Sequence, residues 1–369
     1  MMVPYNPLAG KAPLDSDDLA LRKTLWKITD QEYKKAVSSY LKVKAEQVYK
    51  RADPDFSGCF TPAPVNSHVD KSAKFIEDFE AYEKVVIKLS DGLSKHEFIV
   101  DSSVSFDVTR QDRYFVSSEG STVYTSTMYY AYSVQLFARA EDGTVVPHAL
   151  VLYARSEKEL PGYKEMNKRV EQLAGELDAL RNAEGMQPYS GPALLEGDTS
   201  GVFLHEALGH RLEGHRQSGR DEGGTFSGKV GDQILPEHID VYDDPTVREL
   251  DGNGLNGYYL YDDEGVLAAK APLVEKGKLA GFLLTRRPVE KFRQSNGHAR
   301  ASTSQRPVAR MGTLILDSRE RVPAGELKQR LLEMARKQGK PYAIILRRAS
   351  SGATNTSSWG FQAFKGVAR

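Results

Sequence analysis

Between Ser121 and Ala140, apolar side chains alternate with mostly polar neighbours. The apolar positions of this stretch are Tyr124, Met128, Tyr130, Tyr132, Val134 and Leu136. Because successive side chains of a strand point to opposite faces, this period of two predicts one long, half-buried strand. Glu119-Gly120 and Asp142-Gly143 predict turns at its two ends. The region from Glu97 to Tyr153 is therefore expected to form an antiparallel sheet.

Helical periodicity flanks this sheet on both sides in the sequence. One helix is predicted after Asp30 and a second from Ser72 to Leu89. The first has an apolar face made of Tyr33, Val37, Tyr40 and Leu41. A third helix is indicated by an apolar stripe of Met166, Val170, Leu173, Leu177 and Leu180. The segment from Gln187 to Pro192 breaks that helix, so we predict an N-terminal α+β domain over residues 1–190.

A second domain is predicted over residues 191–369 and is expected to be rich in β-structure. Ala193 to Glu196 indicates a short buried strand, and several short strands with Gly and Asp turns follow it. Leu327, Leu331 and Met334 mark a later helix. Tyr342 to Leu346 indicates one more strand. The fold class predicted for the whole chain is thus α+β.

Composition narrows the classes of function. Lys plus Arg and Asp plus Glu each number 50, so the formal net charge is zero. No global electrostatic attraction to nucleic acid or to an anionic membrane is therefore expected. Cys59 is the only cysteine, which excludes an intramolecular disulfide and cysteine-only metal sites. The start of the chain lacks a signal-peptide pattern, and no apolar run reaches about 18 residues, so we expect a soluble cytoplasmic protein.

The stretch that carries chemistry is His205-Glu206-Ala207-Leu208-Gly209-His210. It resembles the zinc-peptidase helix pattern HExxH, with one extra residue between the histidines. On a regular helix, four residues leave two side chains about 40° apart, whereas five residues leave them about 140° apart. His205 and His210 can therefore share a metal only if the helix widens into a π-bulge or ends nearby. Gly209 offers the least resistance to such a distortion.

Zinc is the cofactor that this pattern indicates, with His205 and His210 as ligands. Glu206 is then placed to act as the general base, which takes a proton from the attacking water and passes it to the leaving amine. A tetrahedral site needs a third protein ligand, and the candidates within the motif are Glu213 and His215.

Two alternatives compete with this interpretation. The string can occur by chance on an exposed amphipathic helix, which Thr199 or Ser200 would cap. Farther along, Gly223 to Lys229 fits the phosphate-loop pattern by letter. However, Val230 stands where a hydroxyl that binds Mg²⁺ is required, and no buried strand leads in. A flexible glycine-rich loop beside the active site is the better hypothesis for this segment, and an ordinary surface loop is the alternative.

Five segments in order carry a resemblance to a known family. They are Gly201 to Gly214, Phe226 to Gly231, Tyr261 to Gly265, Gly277 to Leu284 and Ser295 to Arg300. Together they resemble the TldD/PmbA family, whose older name is modulators of DNA gyrase. Several separated motifs in the right order are more specific than the His-Glu-x-x-x-His string alone.

The resemblance implies two-domain dimers that enclose a proteolytic chamber. The active members are zinc peptidases that act on unfolded or extended peptides. By resemblance, His205 and His210 bind zinc, and Glu206 is the base of a TldD-like subunit. Such a subunit forms a homodimer or a heterodimer with a PmbA-like subunit.

Four residues are the candidates for binding substrate, namely Gly228, Asp263, Gly297 and His298. The resemblance makes the acidic turn that contains Asp263 a wall of the active site. The backbone of the polar loop that contains Gly297 and His298 is expected to pair with an extended substrate, in the manner of an added strand.

One departure from the family concerns the third zinc ligand. Family members take it from a cysteine in their C-terminal part, whereas no cysteine follows Cys59 here and the sequence ends at Arg369. The expected protein is thus a C-terminally short or divergent member. Either another residue completes the site, or the site is impaired. The rival function is a catalytically silent interaction subunit of a TldD/PmbA-like complex.

Overall fold

The computed structural model describes most of the chain. The described residues are 17–47, 60–76, 78–218, 224–289, 291–302, 305–349, 351–354 and 362–365, together with Pro13 and Thr356. Cys59 lies outside them. Within these ranges, no helix combines the length and the apolar character needed to cross a bilayer.

The described residues of the N-terminal half form three α-helices and four strands. The helices are α1 (Asp18–Gln47), α2 (Phe79–Leu93) and α3 (Tyr163–Asn182). The strands are β1 (Ser67–Val69), β2 (Ile99–Val116), β3 (Thr122–Arg139) and β4 (Val145–Ala154). The long strand β3 confirms the prediction from the period of two, as do its antiparallel neighbours β2 and β4.

One face of this sheet is covered by α2 and α3. Buried side chains of both helices form a single apolar cluster with alternate residues of β3, such as Tyr132, Val134 and Leu136. Two short strands share the other edge of β3, because β1 pairs in parallel with its first residues and β4 pairs with its second half. The sheet is thus held on one face by the packing of these two helices.

The structure corrects the predicted starts of the first two helices. Helix α1 begins at Asp18 rather than after Asp30, because the Asp17 carboxylate accepts hydrogen bonds from the first main-chain N–H groups. Helix α2 begins at Phe79 rather than Ser72, because the side chain of the preceding residue, Asp78, caps it by accepting a hydrogen bond from the Ala81 N–H. The predicted apolar face of α1 is exposed at Tyr33, Val37, Tyr40 and Leu41. The stripe of α3 packs as predicted.

The C-terminal half consists mainly of short strands, as predicted. Its helices are α4 (Gly197–Ala207) and α5 (Ala324–Lys337). Its strands are β5 (Ala193–Leu195), β6 (Ile239–Asp243), β7 (Glu249–Leu250), β8 (Asn253–Gly254), β9 (Ala271–Glu275), β10 (Lys278–Leu279), β11 (Ala299–Arg300), β12 (Val308–Ala309), β13 (Leu314–Ser318), β14 (Ile344–Leu346), β15 (Ser351–Thr354) and β16 (Gln362–Lys365). The α+β fold class is confirmed.

A four-stranded sheet with the order β10-β9-β6-β13 is the centre of this half. Its core includes Leu212, Phe226, Leu273 and Phe282, all nearly inaccessible to solvent. Strands β5 and β14 pair in parallel, and β15 pairs with β16 as an antiparallel hairpin. The main apolar clusters lie on opposite sides of residue 190 in the sequence. The domain boundary there stays a prediction.

The two halves meet through a nearly buried carboxylate, that of Asp263. Its side chain pairs with Arg113 of β2 and with Arg300 of β11. Its second oxygen accepts a hydrogen bond of 2.6 Å from the Ala301 N–H. The Asp263 side chain is only 5% exposed, so both guanidinium groups depend on it for charge compensation. A second link joins Arg286 to Glu119.

We predict that Asp263→Asn destabilises the fold by roughly 2–3 kcal/mol, because it leaves two neighbouring cations without their shared anion. The matched control is Asp317→Asn, which removes an exposed partner of Arg321 and should destabilise the fold much less, because solvent screens an exposed pair. Urea unfolding of both variants measures the difference. Equal losses would show that the shared carboxylate does not hold the halves together.

Candidate metal centre

Helix α4 brings the first two residues of the predicted motif to the end of a strand. It follows β5 directly, and its cap is Glu196 rather than the predicted Thr199 or Ser200. Thr199 is instead buried inside the helix, where its hydroxyl accepts a hydrogen bond from the Ala349 N–H. The start of α4 is thus fixed to the segment after β14.

The helix ends between the two histidines, at Ala207. Leu208 leaves helical geometry with φ −124° and ψ −51°, and a 3₁₀ helix, Gly209–Leu212, follows at once. This early end is one of the two distortions that the five-residue spacing predicts, and no π-bulge is present between these residues. It turns His210 back toward His205.

Gly209 serves close packing rather than backbone freedom at this break. A Cβ atom at this position would lie 2.1 Å from the sulfur of Met311, a distance that no real pair of atoms tolerates. The glycine also lacks the positive φ seen at other turns of the chain. The predicted reason for Gly209 is therefore wrong, although its position at the distortion is as predicted.

The three polar side chains of the motif converge. The rings of His205 and His210 have centroids 4.5 Å apart and lie nearly perpendicular, at 82°. One potential ligand atom from each of His205, Glu206 and His210 lies within 4.8 Å of the others. Within the part of the chain that the structure describes, no other group of three such residues meets this criterion. The cluster therefore has the donor types and the spacing that a zinc ion needs.

Glu213 fixes the orientation of the His210 ring. Its Oε1 atom lies 2.8 Å from Nδ1 of His210, while Nε2 of the same ring faces Glu206 at 3.9 Å. The carboxylate is fully buried and also accepts hydrogen bonds from Arg216 at 2.6 Å and from Arg310 at 3.0 Å. A carboxylate behind a histidine is the usual partner of a metal-binding imidazole, because it selects which nitrogen carries the proton.

Neither candidate for the third ligand within the motif joins the cluster. Both oxygens of Glu213 are engaged behind His210, on the side opposite Glu206. The ring of His215 lies against Glu213, with Nε2 3.9 Å from Oε2. The third ligand proposed from the family is a cysteine, and Cys59 lies outside the described residues.

The electrostatic environment favours neutral imidazoles and a charged Glu213. Desolvation by the surrounding protein, followed by the charge of His210, lowers the pKa of His205. Burial lowers the pKa of His215 to about 4. Burial raises the pKa of Glu213, but the hydrogen bond from His210 and the charges of His210, Arg310 and Arg216 outweigh it and lower the pKa. A neutral His205 offers the lone pair that a metal requires.

A strand far along the chain holds Glu206. The Thr354 hydroxyl of β15 lies 2.8 Å from Oε2 of Glu206 and 2.5 Å from its main-chain carbonyl oxygen. A Cβ atom at Gly352 would lie 2.3 Å from Cγ of Glu206. The strand thus passes directly against the carboxylate. Neither Gly352 nor Thr354 is predictable as a partner of Glu206, because no motif near them signals the contact.

The predicted substrate-binding residues lie in different settings. Gly228 is exposed in a turn with φ +71°. Gly297 is buried with φ +75°, and its carbonyl accepts a hydrogen bond from the Tyr259 hydroxyl. Asp263 is committed to Arg113 and Arg300. Their predicted contact with substrate stays a prediction, which the packing of Gly297 and Asp263 does not support.

His298 is fully buried and belongs to the framework around the cluster. Its Nε2 lies 3.1 Å from Oδ1 of Asp243, which is also inaccessible, and its Nδ1 lies 2.9 Å from Oδ1 of Asn296. Its carbonyl accepts a hydrogen bond from the N–H of Arg310, whose guanidinium binds Glu213. His298 therefore supports Arg310 rather than facing a cleft, and its predicted contact with substrate is not supported.

The acidic turn from Asp262 to Glu264 is closed by its own hydrogen bonds. The buried carboxylate of Asp262 accepts hydrogen bonds from the main-chain N–H groups of Glu264, Val266 and Ala299. Glu264 accepts the N–H of Arg286 at 2.7 Å, and burial raises its pKa to about 7. Because protein donors already occupy these carboxylates, the turn has a structural function rather than that of a cation site.

Comparisons with known proteins assign a family to the C-terminal part of the chain. The sequence profile of the PmbA/TldA metallopeptidase C-terminal domain matches residues 188–363. This chain carries a C-terminal domain of the PmbA/TldD family. The resemblance predicted from the five segments is confirmed.

Two curated relatives are named as metalloproteases. The chain is 29% identical over 272 residues to a metalloprotease of Methanothermobacter thermautotrophicus, a match that covers 72% of this chain and 54% of the relative. It is 36% identical over 92 residues to a TldD homolog of Haemophilus influenzae, which covers 25% of this chain and 18% of the relative. The chain thus spans about half the length of these relatives, or less.

Two solved structures share the fold. Superposition on TldE from Thermococcus kodakarensis gives a TM-score of 0.55 at 17% identity, over 93% of this chain and 71% of that one. A Bacteroides thetaiotaomicron protein described as a modulator of DNA gyrase gives 0.56 at 15% identity, over 83% and 62%. At such identities the likeness shows the PmbA/TldD fold alone.

We predict that Glu213→Gln lowers the affinity of the candidate centre for a divalent metal ion by about 10–100-fold, because His210 loses its charged partner. Competition with a chromogenic chelator measures the affinity. Glu320→Gln, an exposed carboxylate near His238, is the control and should leave the affinity unchanged. An unchanged affinity in Glu213→Gln would contradict the orienting role.

We predict that Glu264 makes stability fall as the pH rises. Its pKa in the fold, about 7, lies above the usual 4.5. The protonated carboxyl therefore favours the folded state, and this contribution is complete below about pH 4.5 and lost through about pH 7. Urea midpoints at pH 5 and pH 8 should differ less in Glu264→Gln than in the unsubstituted protein. The same difference in both would refute the assignment.

Proposed function

We propose that this chain is a zinc-dependent peptidase that hydrolyses unfolded or extended peptides. The observation that carries the proposal is the convergence of His205, Glu206 and His210 with a buried carboxylate, Glu213, behind His210. A chance motif on an exposed helix has no reason to end its helix between the two histidines and to place a buried carboxylate behind the second. The metalloprotease names of the relatives agree with the proposal.

Each residue of the cluster has a proposed role. His205 and His210 would hold zinc, which supplies Lewis-acid polarisation of a peptide carbonyl when bound. Glu206 accepts the proton of the attacking water and delivers it to the leaving amine. The Thr354 hydroxyl, 2.8 Å from Oε2 of Glu206, restricts the orientation of that carboxylate. Glu213 keeps Nε2 of His210 directed at the cluster.

Glu206 lies close enough to the histidines to be a ligand as well as a base. The two roles differ in a measurable way. A ligand is required for metal binding, whereas a base is required only for turnover. The substitution Glu206→Gln keeps the size of the side chain and removes its basicity, so it separates them.

The oligomer and its partner are also part of the proposal. We propose a homodimer or a heterodimer with a PmbA-like subunit, because a TldE protein shares the fold. The rival function is a catalytically silent interaction subunit. It is favoured by one observation: within the described residues, no histidine or carboxylate beyond His205, Glu206 and His210 joins the cluster.

We predict close to one zinc per chain in the purified protein, with hydrolysis of an unfolded substrate that a chelator abolishes. Glu206→Gln should keep the zinc and lower kcat by about 10²–10⁴-fold. His210→Ala should lose the zinc. Glu196→Gln changes a carboxylate at the other end of α4 and should affect neither property, which makes it the matched control.

The outcomes separate the alternatives. Loss of zinc in Glu206→Gln would assign Glu206 as a ligand rather than the base. Little zinc in the unsubstituted protein, together with no hydrolysis, would overturn the peptidase in favour of the silent subunit. Mass photometry with and without a PmbA-like subunit then reports which dimer forms.

A further inference from the structure

A cavity of about 500 Å³ lies between the sheet of the N-terminal half and the chain segment from Arg248 to Tyr261. Its size falls within the range of binding sites for small ligands. The walls bring together four arginines, namely Arg113, Arg155, Arg248 and Arg300, with Tyr129 and Tyr258 among them. The other charged residues of the lining are Lys71, Asp70 and Glu159. The lining therefore carries five cationic and two anionic side chains.

Two of the arginines have no acidic partner among the described residues. Arg113 and Arg300 share Asp263, as described above. Arg155, by contrast, donates to the carbonyls of Asn256 and Tyr258, and Arg248 donates to the Tyr258 hydroxyl. Their guanidinium groups lie 4.6 Å from the centre of the Tyr129 ring and 4.4 Å from that of Tyr258, respectively. The rings hold both groups in place and leave N–H donors of each available.

The two carboxylates of the lining are already engaged by the protein. Asp70 contacts Nε2 of His68 at 2.8 Å and accepts the N–H of Ser126 at 3.1 Å. Glu159 accepts the N–H of Arg155 and the hydroxyl of Ser156. Neither is paired with a guanidinium group of Arg155 or Arg248 in the described ranges. The cavity therefore presents unneutralised positive charge to a ligand.

Part of the β3 edge at this cavity has no paired strand among the described residues. Strand β1 ends at Val69, opposite Tyr124, and β4 ends at Ala154, opposite Tyr130. Residues 125–129 of β3 line the cavity, and no described strand pairs with them on this edge. The Tyr124 carbonyl and the Ser126 N–H both bond to Asp70 on this side. Main-chain groups of every second residue of a strand point to the same edge. The N–H and C=O of Met128 therefore point to the same edge as those of Tyr124 and Ser126, between the ends of β1 and β4.

We propose that this cavity binds a peptide carboxylate, held by Arg155 and Arg248, while the adjoining peptide backbone pairs with Met128 in the part of β3 that lacks a strand partner. The guanidinium fork matches a carboxylate with two parallel hydrogen bonds. An added strand satisfies main-chain groups at a sheet edge. The identification of the ligand as a peptide rests on the proposed peptidase function, and it names a carboxylate as a feature of the substrate.

The test measures the binding of fluorescent peptides to the full chain by anisotropy, in the Glu206→Gln background so that no probe is cleaved. Three probes share one sequence. The first has a free C-terminal carboxylate and no acidic side chain, the second has a C-terminal amide, and the third has the amide and one internal glutamate. Tightest binding of the first probe would identify the peptide C-terminus as the source of the carboxylate. Tightest binding of the third probe would identify an acidic side chain. Either result supports the proposal.

Substitutions connect this preference to the cavity. Arg248→Gln should weaken binding of the preferred probe by about 10–100-fold and leave the amide probe unaffected. Arg330→Gln removes an exposed cation of α5. It should change the binding of neither the preferred probe nor the amide probe, which makes it the control. Arg155→Lys keeps the charge and loses the fork, so it should also weaken the preferred probe. N-methylation of the probe at alternate amides should weaken binding further, because Met128 loses its partner.

Three results would overturn the proposal. One is equal binding of the acid and amide probes, and another is equal behaviour of Arg248→Gln and Arg330→Gln. The third is displacement of the probe by inorganic phosphate at an equal concentration, which would reveal an anion site without peptide recognition. Hydrolysis is measured separately: cleavage without a carboxylate preference refutes this inference alone, and carboxylate-dependent binding without zinc or cleavage refutes the peptidase alone.

Discussion

The candidate centre depends on the compensation of one buried charge, that of Glu213. A carboxylate without access to water costs several kcal/mol unless cations and hydrogen bonds replace its hydration. Here Arg216 comes from the turn after the motif, and Arg310 comes from the end of β12, 97 residues later. Their contacts with Glu213 determine where His210 points. The position of one metal-ligating side chain is therefore a property of the whole C-terminal half, not of the motif.

The break in α4 shows what sequence reasoning can and cannot decide. Helix geometry alone excludes a regular helix that directs both His205 and His210 at one metal. The choice between a π-bulge and an early end is not local, because it depends on how closely the next turn can approach another part of the chain. The sulfur of Met311 occupies the space where a Cβ atom of residue 209 would lie. That contact is invisible in the spacing of the motif.

Other features of the structure also differ in whether a local sequence pattern marks them. Strand β3 was predictable because a half-buried strand carries a period of two. The start of α1 was not, since a helix whose apolar residues remain exposed carries no burial pattern that marks its first turn. Residue type identified His298 as a candidate for binding substrate, but type does not report burial, and His298 pairs with Asp243 in the interior. Thr354 escaped notice because it lies 148 residues from Glu206.

That separation has a consequence for the newly made chain. The Glu206 carboxylate obtains its hydroxyl partner, and β5 obtains its neighbour β14, only after residues near 344–354 have emerged from the ribosome. At translation speeds of about 5–20 residues per second, the helix waits roughly 7–30 s for these contacts. The long antiparallel sheet of the first half is complete in sequence by residue 154 and can form in that interval. The order of synthesis thus places assembly of the cluster after the sheet of the first half has had time to fold.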